Sequence, residues 1–270
     1  MGFTRDSRFV LVALVACSSS PQPVTPTPPT RLRVVAHRGA SHAHPENTLA
    51  AFRAAWTLGV EAVELDVHVT KDGEVVVIHD ATTKRTGGVD CHRARLGARC
   101  DRAVADQTLA ELRTLDVGAG ERIPTLAEAL ATIPSGRTLF VEIKTARETA
   151  RTIGRVIGVR KDVALQGFDP DALAALQYAT GAPAYWTVDP PVENDIRLPY
   201  PPSVIDEAKR RGFTGLALFH GSVTPSFVQL AHDAGLLVDV WTVNDGALLA
   251  DWLAAPNVRW VETDRPDLAP

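Results

Sequence analysis

Residues Val34–Asp80 read VVAHRGASHAHPENTLAAFRAAWTLGVEAVELDVHVTKDGEVVVIHD, and the punctuation of this stretch decides the architecture. An apolar run ends at His37-Arg38-Gly39, and a helical pattern over Thr48–Leu58 follows. Two strand-like runs come next, Glu61–His68 and Glu74–Ile78, with only the turn Thr70-Lys71-Asp72-Gly73 between them. Parallel neighbours need a crossover of a dozen or more residues, so these two runs form an antiparallel hairpin.

Working outward, apolar runs bounded by turn residues predict further strands at Leu32–Ala36, Thr138–Ile143, Val163–Gly167, Pro183–Val188, Thr214–Phe219, Leu236–Thr242 and Val258–Glu262. Helical patterns lie between most of them: Leu126–Ile133, Ala146–Val156, Pro170–Tyr178, Val204–Arg211, Pro225–Ala234 and Ala247–Ala254. Asn47 and Thr224 are expected N-caps, and Gly59, Gly212 and Gly235 sit where helices end on glycine. Nine strands are one too many for a (β/α)₈ barrel, and the hairpin identifies Glu74–Ile78 as the extra one. Removing that arm leaves eight strands separated by helices, an α/β TIM barrel. The hairpin also returns His79 to the side of Asp66. Residues 82–121 form a long excursion at the same mouth, with a short helix expected around Thr108–Leu115.

Charged residues inside apolar strands carry the chemistry, because burying an unpaired charge costs several kcal/mol. The second strand places Ala62, Glu64, Asp66 and His68 on one face and Val63, Leu65, Val67 and Val69 on the other. In a barrel wrapped by helices the apolar face meets the helices, so Glu64 and Asp66 point into the lumen, about 7 Å apart. Two lumenal carboxylates require a cation, and Glu142, near another strand end, is a third candidate ligand. An all-oxygen set of three carboxylates suits Ca²⁺ or Mg²⁺ far better than Zn²⁺. His37 and His79, each followed by a charged residue at a strand end, suit general acid and base roles near neutral pH. Arg38 offers a planar fork to a phosphoryl oxygen and Lys144 a second positive charge. Glu46 fits either an approach to the metal or a capping role, Asp80 is expected to orient a neighbour, and Asp264 to pin the closing strand or support the site from behind.

His37-Arg38-Gly39, Pro45-Glu46-Asn47-Thr48, Glu64-Leu65-Asp66, Thr70-Lys71-Asp72-Gly73 and His79-Asp80 together resemble the glycerophosphodiester phosphodiesterase family. Val141-Glu142-Ile143-Lys144, Trp241-Thr242-Val243-Asn244 and Thr263-Asp264-Arg265-Pro266 match its later motifs. The resemblance implies metal-dependent hydrolysis of glycerophosphodiesters to sn-glycerol 3-phosphate and an alcohol. It assigns catalysis to His37 and His79, without separating acid from base, and gives Trp241 a place in the substrate pocket. A related lipid phosphodiesterase, of the sphingomyelinase D or phospholipase kind, and a non-hydrolysing surface binding protein are the competing readings.

The rest of the chain sets limits. Its 270 residues, 45% apolar and 22% charged, are enough for one large domain, and a formal net charge of −4 argues against a nucleic-acid partner. Domain boundaries are expected at residues 1–16, 17–30 and 31–270. Arg5 and Arg8 followed by the apolar run Phe9–Ala16 make a signal segment too short to span a bilayer. Leu14-Val15-Ala16-Cys17 resembles a bacterial lipobox, which implies lipidation of Cys17 and a lipid anchor on the outer face of a bacterial membrane. An ordinary secretory signal is the alternative. Ser18–Thr30 is a Pro/Ser/Thr-rich tether. In an exported chain Cys91 and Cys100 are expected to pair and staple the excursion, for roughly 2.5–3 kcal/mol. A zinc site with His92 would have only three clustered ligands. Oligomeric state leaves no mark in the sequence.

Overall fold

The computed structural model describes residues 1–2, 31–86 and 101–270. Eight parallel strands close on themselves in the order β1 (Arg31–Ala36), β2 (Val60–Val69), β4 (Thr138–Ile143), β5 (Val163–Gly167), β6 (Ala184–Val188), β9 (Gly215–Phe219), β10 (Leu237–Trp241) and β11 (Val258–Thr263). β11 pairs back onto β1, so the sheet has no free edge among these strands. β3 (Val75–Val77) lies outside the ring and runs antiparallel to the upper half of β2, with Val67 opposite Val77. The expected TIM barrel with a hairpin arm is therefore the fold.

Side-chain alternation builds two layers. Val63, Leu65 and Val67 of β2 join the outer core against α1 (Leu49–Thr57) and its counterparts around the barrel. The lumen is floored by Val35, Ala62, Phe140, Ala164, Tyr185, Ala217 and Trp260. Phe140 sets the packing there, with its ring centroid 5.3 Å from Tyr185 and 5.4 Å from Trp260. Above this apolar floor, toward the C-terminal strand ends, the inward positions include the buried polar residues Glu64, Asp66, Glu142, Gln166, Asp239 and Glu262.

The first turn must pass close to α1. Gly39 has φ +82°, and a Cβ there would meet the Ala51 backbone at 2.7 Å, so only glycine fits. The expected cap moves by one residue. Thr48, not Asn47, caps α1 by accepting from Ala51 N, and Asn47 instead adopts φ +58° with its side chain turned into the barrel mouth. Asparagine tolerates both positions, which is why the sequence does not separate them. Thr224 caps α7 (Pro225–Asp233) as expected.

The start of the excursion pairs with its middle: Thr83 N–H donates to Arg102 O and Val104 N–H to Ala81 O. Its second half carries α2 (Leu109–Leu112), shorter than expected and closed by a Thr108/Glu111 capping box. Leu112 and Leu115 bury with Val76, Ile78, Val104 and Ile123 in a small core of their own. α3 (Leu126–Leu130) and α4 (Ala150–Ile157) are also trimmed, the latter because Arg147–Thr149 is a 3₁₀ turn. The stretch before α6 (Ser203–Arg211) contains a miniature hairpin, β7 (Val192–Glu193) and β8 (Ile196–Arg197). Asn194 and Asp195 both take positive φ in its turn, a type I′ signature that Glu-Asn-Asp-Ile offered. Cys17, Cys91 and Cys100 lie outside the described residues. Among the described residues no helix is long and apolar enough to cross a membrane.

Candidate active site

Strand register brings the three expected ligands together. Asp66 of β2 stands opposite Glu142 of β4, and Glu64 lies one inward position below Asp66. Glu64 and Asp66 have no accessible surface, and Glu142 keeps 6%. Each offers one carboxylate oxygen, and these oxygens lie within 4.8 Å of one another. Glu64 Oε1 is buried with no hydrogen-bond donor, and Asp66 Oδ1 is buried with the Lys144 ammonium 3.2 Å away as its ion-pair partner. Hard carboxylate oxygens gathered in this way fit a Ca²⁺ or Mg²⁺ ion. Burial and the neighbouring Asp66 push the Glu64 carboxyl well above its usual range. Burial would also raise Asp66, but Lys144 and Arg38 bring it down to about 2. Glu142 is raised by burial, against the pull of Lys144.

Two cations hold this trio from above. Lys144 Nζ lies 2.8 Å from Glu142 Oε1 and 3.2 Å from Asp66 Oδ1. Arg38 Nε is 3.3 Å from Asp66 Oδ2, and its backbone N–H donates to Glu64 Oε2 at 3.0 Å. Arg38 reaches this position with φ +57°, a left-handed conformation rare outside glycine. Asn47 completes the frame: its side-chain amide donates to Asp66 Oδ2 at 2.8 Å, and its carbonyl accepts from Asp66 N. Sequence reading treated Asn47 as a cap only.

Both histidines are oriented by carboxylates. His37 Nδ1 is 2.7 Å from Asp264 Oδ1, and His79 Nδ1 is 2.6 Å from Asp80 Oδ1. Burial would raise Asp264, yet its bond to His37 and those to Asn244 and Ser41 set it at about 2. Asp80 is held at about 2, first by its bond to Arg85 and then by His79. An ionised carboxylate can only accept, so each ring donates from Nδ1 and leaves Nε2 outside that bond. Burial lowers His79 below its usual value, outweighing Asp66. Asp264 thus supports the site from behind, as one of the two expectations for it had it. It is fixed in turn by Asn244, whose amide donates to Oδ2 at 2.6 Å. Glu46 neither caps the helix nor joins the ligand oxygens; it accepts from Arg38 Nη1 at 2.9 Å and from Arg85. His68 is a satisfied buried histidine whose Nε2 meets the His79 carbonyl.

Trp241 stands at the end of β10 between Phe168 and Phe219, with ring centroids 6.0 and 5.9 Å away. Lys144 Nζ lies 5.3 Å above the Phe168 ring, which joins this aromatic wall to the charged centre. A cavity of about 660 Å³ opens between His37, Arg38, His42, Asn244 and Arg265. Beneath the site Gln166 Nε2 donates to both Asp239 Oδ2 (2.9 Å) and Glu262 Oε1 (2.5 Å). Burial pushes Asp239 up to about 7 and Glu262 well above its usual range. In the sequence the signal for this lumenal pair is a carboxylate inside each strand, Asp239 between Val238 and Val240 and Glu262 between Val261 and Thr263.

Comparison with known proteins places this geometry. The sequence model of the glycerophosphoryl diester phosphodiesterase family matches residues 37–268. A glycerophosphodiester phosphodiesterase of Caldanaerobacter subterraneus subsp. tengcongensis is 45% identical over 119 residues, 41% of this chain. The matched stretch spans 44% of that relative's length, so this chain covers less than half of it. The solved structure of an Oleispira antarctica phosphodiesterase, in complex with its product sn-glycerol-3-phosphate, superposes with a TM-score of 0.72 at 26% identity. It covers 87% of this chain and 93% of that one. A Thermotoga maritima glycerophosphodiester phosphodiesterase gives 0.69 at 26% identity, over 88% and 96%.

Proposed function

The chain belongs to the glycerophosphoryl diester phosphodiesterase family, and from that premise we propose that it hydrolyses glycerophosphodiesters to sn-glycerol 3-phosphate and an alcohol. One observation carries the reading. Two Asp-oriented histidines, two cations and a trio of buried carboxylates whose oxygens lie within 4.8 Å of one another converge at one barrel mouth.

Arg38 and Lys144 receive the non-bridging phosphoryl oxygens, and their charge offsets what develops as the bond to phosphorus forms. A divalent ion, Ca²⁺ or Mg²⁺, held by Glu64, Asp66 and Glu142 would supply Lewis-acid polarisation of the phosphoryl group. His79, whose pKa burial lowers, takes the proton of the attacking hydroxyl at Nε2. His37, held at Nδ1 by Asp264, gives its Nε2 proton to the departing alkoxide. If the attacking hydroxyl is the glycerol's own, a cyclic phosphate forms. Its opening by water reverses both proton transfers and restores the starting state. Trp241, with Phe168 and Phe219, lines the side on which the glycerol carbons would rest.

The test is ³¹P NMR of glycerophosphocholine and glycerophosphoethanolamine incubated with the full chain, with and without EDTA, beside His37→Ala. Release of glycerol 3-phosphate, abolished by chelation and by the substitution, supports the reading. Turnover of intact phospholipid alone would replace it with a lipid phosphodiesterase. Tight binding of the diesters without product would replace it with a binding protein.

On the sequence alone we propose also that the chain is exported and lipidated at Cys17, with Cys91 bonded to Cys100. Mass spectrometry of the membrane fraction, read for a diacylglyceryl-modified Cys17 and a disulfide-linked peptide pair, tests both.

A further inference from the structure

We infer that Arg85, at the start of the excursion after β3, is a positioning residue that clamps the two flanks of the site together by gripping the carboxylate behind His79 and the carboxylate behind Arg38 at once. The inference rests on the phosphodiester reading of the site. Arg85 Nε lies 2.7 Å from Asp80 Oδ2 and Nη2 lies 2.9 Å from Asp80 Oδ1. On its other edge Nη1 lies 2.6 Å from Glu46 Oε2 and Nη2 lies 2.9 Å from Glu46 Oε1. Two parallel fork contacts therefore radiate from one guanidinium, a geometry that an ammonium cannot reproduce.

Three separate segments meet at this point. Glu46 belongs to the turn between β1 and α1, Asp80 follows the hairpin arm, and Arg85 belongs to the excursion. Asp80 holds His79 Nδ1 and Glu46 holds Arg38 Nη1. Both carboxylates bond the same Nη2, so they face each other across one nitrogen and would repel without it. Loss of the clamp would free Asp80 to turn toward solvent, and His79 would then no longer be held in its Nδ1–H form. The Arg85 side chain is 47% exposed and touches no core residue in these contacts, so its removal should leave the barrel standing.

Three readouts test the clamp in the full chain. For Arg85→Ala we expect kcat/KM on glycerophosphocholine to fall about 10- to 100-fold, with the thermal midpoint within about 4 °C of wild type. Arg85→Lys should not restore activity, since it keeps charge but not the fork. In a Glu46→Ala/Asp80→Ala background the further change Arg85→Ala should have no effect, because Arg85 acts only through those two carboxylates. Histidine-selective ¹⁵N NMR should show His79 passing from a fixed Nδ1–H tautomer in wild type to a mixture in Arg85→Ala. Full activity in Arg85→Lys, an equal loss in the double-variant background, or an unchanged His79 signal in Arg85→Ala would overturn the inference. If the wild-type chain turns over no glycerophosphodiester, the phosphodiester reading fails and the His79 signal alone decides the clamp.

Discussion

Asp264 accepts a hydrogen bond from His37 Nδ1 at 2.7 Å, joining the end of the last barrel strand to the end of the first. The two strands are neighbours only because the barrel closes, so ring closure itself orients the imidazole proposed as the proton donor. Ser41 and Asn244 hold the same carboxylate from either side, leaving it little freedom to turn.

Asp264→Asn keeps the shape but offers an amide where a carboxylate stood. It weakens the hold on His37 Nδ1–H and permits the opposite tautomer. We expect kcat to fall on the order of 10²-fold or more with little change in thermal midpoint. Steady-state kinetics on glycerophosphocholine checks it, and near-normal kcat would remove Asp264 from the account.

Asn47 fixes Asp66 through both its amide and its carbonyl, and Asp66 is a ligand oxygen donor in the proposed ion site. Asn47→Ala should therefore weaken divalent-ion affinity about 10- to 100-fold while the saturated enzyme retains much of its kcat. Activity titrated against free Ca²⁺ or Mg²⁺ separates these effects. An unchanged half-saturation point would show that Asn47 serves the turn alone.

The pH profile follows from the burial of His79. Its value lies below the usual 6.5, and as proton acceptor it must be neutral to act. Activity should therefore persist through pH 6.5 and fall only at lower pH, as the ring gains its proton. A profile of kcat/KM from pH 4 to 9 checks the sign; loss of activity beginning above the usual histidine value would contradict it.

Beneath the site, Asp239 makes a prediction about stability instead of rate. Its carboxyl is raised from 3.8 to about 7 by burial. Between those values the folded chain keeps a proton that the unfolded chain has released, so stability falls as pH rises across that window. Asp239→Asn has no proton to lose and can both accept from Gln166 and donate to Glu262. In chelated protein it should be more stable than wild type above pH 7, by about 1–3 kcal/mol, and lose that advantage below pH 4. Thermal melts at pH 4 and pH 8 distinguish this from a pH-independent effect.

The parts of this protein legible in sequence are those governed by period and by turn length. Alternation along Ala62–Val69 placed Glu64 and Asp66 in the lumen, and the brevity of Thr70–Gly73 removed β3 from the barrel. What escaped depends on partners distant along the chain. Asn47 could be read as a cap because its true partner, Asp66, is reached only across the barrel mouth. Asn244 lay within a recognised motif, yet its hold on Asp264 requires β10 and β11 to lie side by side. Arg85 carried no local signal, since the two carboxylates that it joins come from different turns.

The most direct test of the account is whether turnover requires one divalent ion held by the buried trio. Equilibrium dialysis of the chelated full chain against Ca²⁺ or Mg²⁺, with glycerol 3-phosphate release measured on the same samples, reads both quantities together. We predict activity that rises with occupancy to one bound ion per chain, and loss of both in Asp66→Asn. Turnover by the fully chelated chain, or by Asp66→Asn without a bound ion, would contradict the account.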